Sequence, residues 1–261
     1  MADTFTLSKD ELILKEQSRI ERELDSGTCS WSTKEKVALC CRILYKYGHD
    51  SGLSGQISVR SGSAEMITQR LGYGFDEARV SNLLTVDDDL NVLSGQGMPN
   101  PANRFHAWIY RDRPDARCII HTHPLYTSAL SMLEEPLKVS HMDACVLFDD
   151  IAFLPNWPGI PIGNDEGRII SSALADNRAL LLAHHGLVVV CSSIEEACIM
   201  AIQFERAAKL HMLAASVGNI REIDPELGRQ AHDWILQPRR SSATFSYYAR
   251  RIINDDASCL S

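Results

Sequence analysis

His121 and His123 stand one residue apart in the stretch ARCIIHTHP. Side chains at i and i+2 of a strand leave the same face. Two imidazoles so placed can share a cation at the usual Zn–N separation of ~2 Å. A lone HxH pair also arises by chance on surface strands, so the chemistry hangs on a third donor. His184-His185-Gly186 offers one, between the apolar runs LLLA and LVVV. A polar pair in that setting needs partners, because unpaired buried polar groups cost free energy. If the two are adjacent strand residues, only one can face the site, and Gly186 gives the backbone freedom to turn. Three neutral imidazoles with an open position describe a catalytic metal site rather than a closed structural one.

The elements that must position these groups are legible in outline. Leu12, Leu14 and Ile20 among alternating charges predict a first helix. Val37, Leu39, Ile43 and Leu44 at helical spacing predict a second from Ser32 to Tyr47, with Ser32 as its cap. GHDSGLSGQ reads as a glycine-rich turn into a strand ISVR, and AEMITQ as a further short strand. A helix is expected over Asn103–Arg111, a strand in ARCIIHTHP, and a short helix over Leu125–Leu133. A strand near Val146 precedes an irregular LPNWPGIP loop, followed by a helix from Asp165 to Ala175. ALLLAHHGLVVV gives two apolar stretches of strand character. The run from Ser192 to Ser216 is a long helix, capped by Ser192 or Ser193 and carrying Glu195 and Glu196 in its first turn. Helices interleaved with short strands predict an α/β fold, a three-layer α/β/α arrangement around a central, mainly antiparallel sheet.

Composition narrows the function. The 261 residues are 45% hydrophobic and 23% charged, with a net charge of -8. These are ordinary proportions for a globular chain, and the acidic balance argues against a nucleic-acid partner. Without a low-complexity linker, the expectation is a single domain over 1–261, with a core of about 35–215 and a helical tail at 216–261. No apolar run approaches the ~18 residues of a membrane span, and the N-terminus lacks the apolar segment of a signal peptide, so a cytoplasmic location is expected. The eight cysteines are scattered, with no CxxC pair, and are read as inert thiols.

Three stretches, GLSGQISVR, RFHAWIYRDRPDARCIIHTHP and ALLLAHHGLVVV, resemble in order and spacing the class II aldolase/adducin family, over roughly Glu35 to Ala215. The resemblance implies that His121, His123 and His185 ligate one divalent metal, Zn2+ first and Mn2+ or Fe2+ as alternatives. His184 would then support the site from behind or pack in the core. His106, in the RFH element, matches a position that supports the site; a hydrogen-bonded helix histidine would look the same.

The chain departs from the fuculose-phosphate aldolase branch, which carries a glutamate four residues before the RFH histidine; Ala102 stands there. Its phosphate loops correspond to GLSGQ, TQRLG and MPNPA, where Leu53, Gln56, Arg70 and Pro101 replace much of the small polar set. Gly55, Gln56, Arg70 and Asn100 are the candidate substrate-binding residues. Arg70 has the fork for a substrate carboxylate, or is a solvated loop arginine. Asp143, near the family's acid/base region, is a candidate acid/base or a structural carboxylate. Tyr247 and Tyr248 match the C-terminal tyrosine that in several relatives completes a neighbouring subunit's site, or else pack a terminal helix.

The function implied is metal-assisted cleavage of a carbon–carbon bond in a small oxo or hydroxy compound, through a stabilised enediolate. The alternatives are decarboxylation of an aromatic or oxo acid, a non-haem iron oxygenase, and an adducin-like module without activity. Adducin lacks the metal histidines, so their presence here argues against the last. A small-molecule substrate and a homotetramer are the expected partners.

Overall fold

The computed structural model describes residues 4–261. Helices α1 (Lys9–Ser26) and α2 (Thr33–Lys46) each begin in a reciprocal cap: Ser8 with Glu11 and Ser32 with Glu35 satisfy two otherwise unpaired amides apiece. There follow β1 (Gln56–Arg60), β2 (Glu65–Gln69), β3 (Leu83–Asp87), β4 (Val92–Ser94), α3 (Asn103–Asp112), β5 (Cys118–Thr122) and α4 (Leu125–Ser131). The remainder comprises β6 (Ile151–Leu154), α5 (Asn164–Leu174), β7 (Ala179–Leu182), β8 (Leu187–Cys191), α6 (Ile194–Ala215), α7 (Pro225–Ile235) and α8 (Pro238–Asp255). The strands form one sheet in the order β4-β3-β2-β1-β5-β8-β7-β6. Only β6 and β7 run parallel; the other neighbours are antiparallel.

Alternation along the central strands sorts the core into two layers. Ile57, Ile120, Leu181 and Val189 pack with α2, α6 and α8, through residues such as Leu44, Phe204 and Phe245. Ile119, Leu180 and Val188 point the other way and pack with Phe105 and Ile109 of α3 and Ile170 and Leu174 of α5. Fully burying one such side chain contributes about 1.5–3 kcal/mol. The result is the expected three-layer α/β/α architecture. The central strand β5 and its neighbour β8 are buried along their whole length, and the end of β5 is where His121 sits.

Three readings need correction. The strand expected near Val146 is a 3-10 turn, Met142–Leu147, and the strand comes later, at β6. An apolar ACVL run suits either, and here it faces α6 and α7. The β3–β4 hairpin was not anticipated; β4 is an exposed edge strand with no buried face to create an alternation. His184 and His185 are not strand residues: they lie in the β7–β8 turn, where His184 takes a left-handed backbone, φ 56°.

Candidate functional site

His121 continues the alternation of Ile119 and therefore lies on the α3 side of the sheet, edge-on to Phe105 with ring centroids 5.3 Å apart. Its Nδ1 lies 2.8 Å from the Leu187 carbonyl oxygen. A carbonyl only accepts, so Nδ1 carries the proton and Nε2 is left with its lone pair free. His123 follows directly after the strand, its amide donating to Ser51 Oγ at 2.7 Å. The two Nε2 atoms lie 2.9 Å apart. His185 closes the triangle, its ring centroid 4.7 Å from that of His121 and 4.6 Å from that of His123.

Gly186 makes this closeness possible. A Cβ there would lie 2.4 Å from the Thr122 carbonyl oxygen and 2.8 Å from His123 Cδ2. Its φ is not left-handed; what demands glycine is the approach of one chain segment to another, rather than the turn itself. The turn is made by His184, whose side chain swings out to Glu134, Nε2 to Oε1 2.7 Å. It is exposed, neither behind the site nor in the core.

One ligand atom from each of His121, His123 and His185 falls within 4.8 Å of the others, the only such grouping of three potential metal donors among the described residues. Burial, then the His185 and His123 imidazoles, hold His121 well below the ordinary histidine range. Burial also lowers His123, and burial followed by His123 brings His185 to about 4. All three are therefore neutral near pH 7, the form that ligates a metal. Neutral imidazoles, one with its tautomer fixed, converging at ligand spacing: the set fits a divalent cation with a coordination position left open.

The histidines floor a cavity of about 220 Å³. Leu53, Ser54 and Gln56 line it from the loop entering β1, Asn100, Pro101 and Ala102 from the loop entering α3, and Ile160, Pro161 and Ile162 from the loop before α5. The β1–β5 register sets Gln56 directly opposite His121. Among the described residues, no Asp, Glu, Lys or Arg lines the cavity.

Residues 35–212 match the family described as Class II Aldolase and Adducin N-terminal domain. The chain belongs to that family. Over 201 residues it is 30% identical to the decarboxylase NovR of Streptomyces niveus, covering 75% of this chain and 74% of that protein. It is likewise 30% identical over 201 residues to the 4-hydroxy-3-prenylphenylpyruvate oxygenase/4-hydroxy-3-prenylbenzoate synthase of Streptomyces roseochromogenus subsp. oscitans, covering 75% and 73%. Among solved structures, the L-fuculose 1-phosphate aldolase from Glaciozyma antarctica PI12 superposes with a TM-score of 0.80 at 23% identity, over 89% of this chain and 96% of that one, and so shares the fold.

Within this class II aldolase fold, the remaining candidates are placed as follows. Gln56 is buried; its amide nitrogen donates to the Ser54 carbonyl, and its Oε1 has no partner. Asn100 ties the two polar loops together, donating to the Leu53 carbonyl at 3.3 Å and accepting from Ala102 N at 3.0 Å. Gly55 packs against the Phe75 ring, 3.1 Å from where its Cβ would stand. The amides of Gly52 and Ser54 are spent within the loop, on Asp50 Oδ1 and the Ser51 carbonyl, which leaves two fewer donors for a phosphate.

Arg70 is not among the cavity-lining residues. It crosses Gly97, and its guanidinium lies over the Tyr73 ring at 5.2 Å. Asp143 pairs with Arg206, Nε to Oδ2 2.7 Å, and shares with Tyr248 a separate cavity of about 570 Å³. Tyr247 is exposed and accepts from Arg251 at 3.1 Å. Within one chain, then, Asp143, Tyr247 and Tyr248 are not brought to the histidines. His106 is wholly buried, Nδ1 2.7 Å from Ser58 Oγ, and burial lowers its pKa to about 3, so it is neutral; its ring packs on Phe105, which in turn meets His121 edge-on.

Two contributors escaped the sequence reading. The Ile160–Ile162 wall closes the LPNWPGIP loop and runs one residue past it; the only signal of that loop was apolar side chains in a turn-rich stretch. Glu205, midway along α6, accepts from Tyr126 N at 2.9 Å, Thr127 N at 2.8 Å and Thr127 Oγ1 at 2.7 Å. It thereby holds the start of α4, directly after His123-Pro124. A single glutamate on an amphipathic helix gives no hint of such a partner.

Proposed function

We propose that the chain is a metal-dependent carbon–carbon lyase acting on a small oxo or hydroxy acid, with decarboxylation favoured over aldol cleavage. The observation that supports this reading is a three-imidazole cluster flooring a cavity whose lining, among the described residues, holds no Asp, Glu, Lys or Arg. A divalent cation on these nitrogens, Zn2+ first and Mn2+ or Fe2+ as alternatives, supplies Lewis-acid stabilisation of negative charge gathering on a carbonyl oxygen.

The chain's own groups divide the remaining work. The Leu187 carbonyl orients His121. Gln56 Oε1, buried and unpaired, is an acceptor for a substrate hydroxyl, because leaving it unmatched costs free energy. Aldol cleavage needs a base to take the hydroxyl proton, and position 102 offers only a methyl group. Decarboxylation of a 3-oxo acid needs none: the bond between the carboxylate and C2 breaks, carbon dioxide leaves, and the electron pair passes into the C3 carbonyl as an enolate, which takes a proton from water at C2. The phosphate of a sugar phosphate would find no Lys or Arg among the described lining residues and few free amides. The two Streptomyces relatives named above bear names of other reactions than aldol cleavage.

The oxygenase reading is the second, favoured by the Streptomyces roseochromogenus relative's name and by a ligand set that can also hold Fe(II). A homotetramer with sites at subunit interfaces completes the proposal, the exposed Tyr247 being suited to reach a neighbour; a fully active monomer in dilute solution would refute that part.

The experiment loads the purified protein with zinc or, anaerobically, with iron. It then records carbon dioxide release and oxygen uptake on oxo acids, and aldehyde release from a ketose 1-phosphate. Carbon dioxide without oxygen uptake is the expected result. Oxygen uptake that requires iron replaces the lyase with the oxygenase, and efficient ketose-phosphate cleavage refutes the substrate class. His123→Ala should lose metal and activity while keeping its helical content.

A further inference from the structure

At about 220 Å³ the cavity above the imidazoles is smaller than the ~300–1,000 Å³ of most ligand sites. A substrate larger than this cavity, held by its acid and carbonyl oxygens, would extend beyond the mouth, and the surface there is apolar. Ile160 and Ile162 wall the cavity while remaining 68% and 53% exposed. Trp157 is 48% exposed, its ring centroid 6.2 Å from the His185 ring. Leu53, on the loop entering β1, is 54% exposed and lines the same cavity. Exposed apolar surface continuous with a functional cavity marks a recognition surface.

We propose that this rim binds an apolar tail, so that the substrate is an oxo or hydroxy acid bearing an extended aliphatic or aromatic substituent. The inference rests on the metal reading of the imidazoles, which fixes the head group. Ile162 N donates to the Ile160 carbonyl at 2.8 Å, and Ala183 N, in the hairpin that carries His185, donates to the Leu154 carbonyl at 3.0 Å just upstream of the rim. Head and tail sites thus hang from the same β6–β7–β8 corner. Because Leu53, Trp157, Ile160 and Ile162 present apolar side chains there, tail length and shape are what this surface can discriminate.

The test titrates zinc-loaded protein calorimetrically with straight-chain 2-oxo acids of three to eight carbons and with phenylpyruvate. Affinity should rise about two- to fourfold per added methylene once the chain passes the mouth, and the Trp157→Ala/Ile160→Ser double variant should bring the eight-carbon acid down toward pyruvate. Equal affinity along the series, or a gradient that survives in the double variant, overturns the rim. So does a flat series in which the double variant shifts the oligomeric state, which would make the surface a contact between copies. A persistent gradient in protein that fails to retain zinc would sink the metal reading and leave the rim standing.

Discussion

Replacing Gly186 by alanine tests the site at its tightest point. The new Cβ would lie 2.4 Å from the Thr122 carbonyl oxygen and 2.8 Å from His123 Cδ2, and contacts under 3.0 Å essentially do not occur. One segment must therefore move by at least about 0.6 Å, the gap between 2.4 and 3.0 Å. The yielding atoms are backbone and the His123 ring rather than the end of a flexible chain. Metal–ligand distances tolerate only about ±0.2 Å, so a shift of this size spoils His123 as a ligand. Losses from disturbed supporting groups run about 10- to 100-fold in metal affinity, and overpacking costs about 1–3 kcal/mol of stability. Zinc affinity by competition against a chromogenic chelator, with thermal melts of metal-free and loaded protein, reads both. A Gly186→Ala protein that binds zinc within about threefold of the parent and melts at the same temperature would show that the hairpin does not position His123, and the reasoning would fail.

Three further outcomes are expected. His184→Asn, which keeps a residue tolerant of the left-handed backbone, should leave zinc stoichiometry intact and stability within about 0.5 kcal/mol; loss of the metal would reassign the ligand from His185. Glu205→Ala leaves two amides and a hydroxyl at the start of α4 without their acceptor, and should cost about 1.5–3 kcal/mol and weaken zinc binding, both measurable on refolded protein; unchanged zinc affinity would reduce Glu205 to a purely structural anchor. At the sheet edge, the hydrogen bond to Asp150 raises the pKa of His232 against the opposing effect of burial, with Asp233 adding to it and Arg178 subtracting. Burial pushes Asp150 up, but hydrogen bonds from His232 and Arg178 outweigh it and leave it lowered. The His contribution is whole below the unfolded value of 6.5 and disappears as pH rises through the raised folded value; the Asp contribution is whole above 3.8 and disappears as pH falls through the lowered one. The destabilisation by His232→Gln should therefore be largest between pH 3.8 and 6.5 and shrink toward alkaline pH. A melting difference independent of pH would contradict this.

What the sequence determined by itself is whatever depends on near neighbours along the chain. The caps at Ser32 and Ser193 were legible because a hydroxyl reaches amides only three residues on. The strand carrying His121 was legible because alternation is set by backbone geometry, and the clustering of His121, His123 and a histidine of the HHG element followed from spacing and resemblance. The residues alone left open which of His184 and His185 turns inward, and the resemblance pointed to His185; the physical reason lies in the tertiary structure, in a left-handed residue of a turn whose neighbour, Thr122, is remote in sequence. The same holds for Gln56, set against His121 by strand register, for the Ile160–Ile162 wall, and for Arg70, whose guanidinium lies over Tyr73 instead of in the cavity. The physical reason is common to all of them. Local hydrogen bonds and periodicity are written in short windows, whereas a cavity is the space left between segments, and its shape appears only once the sheet has brought those segments together.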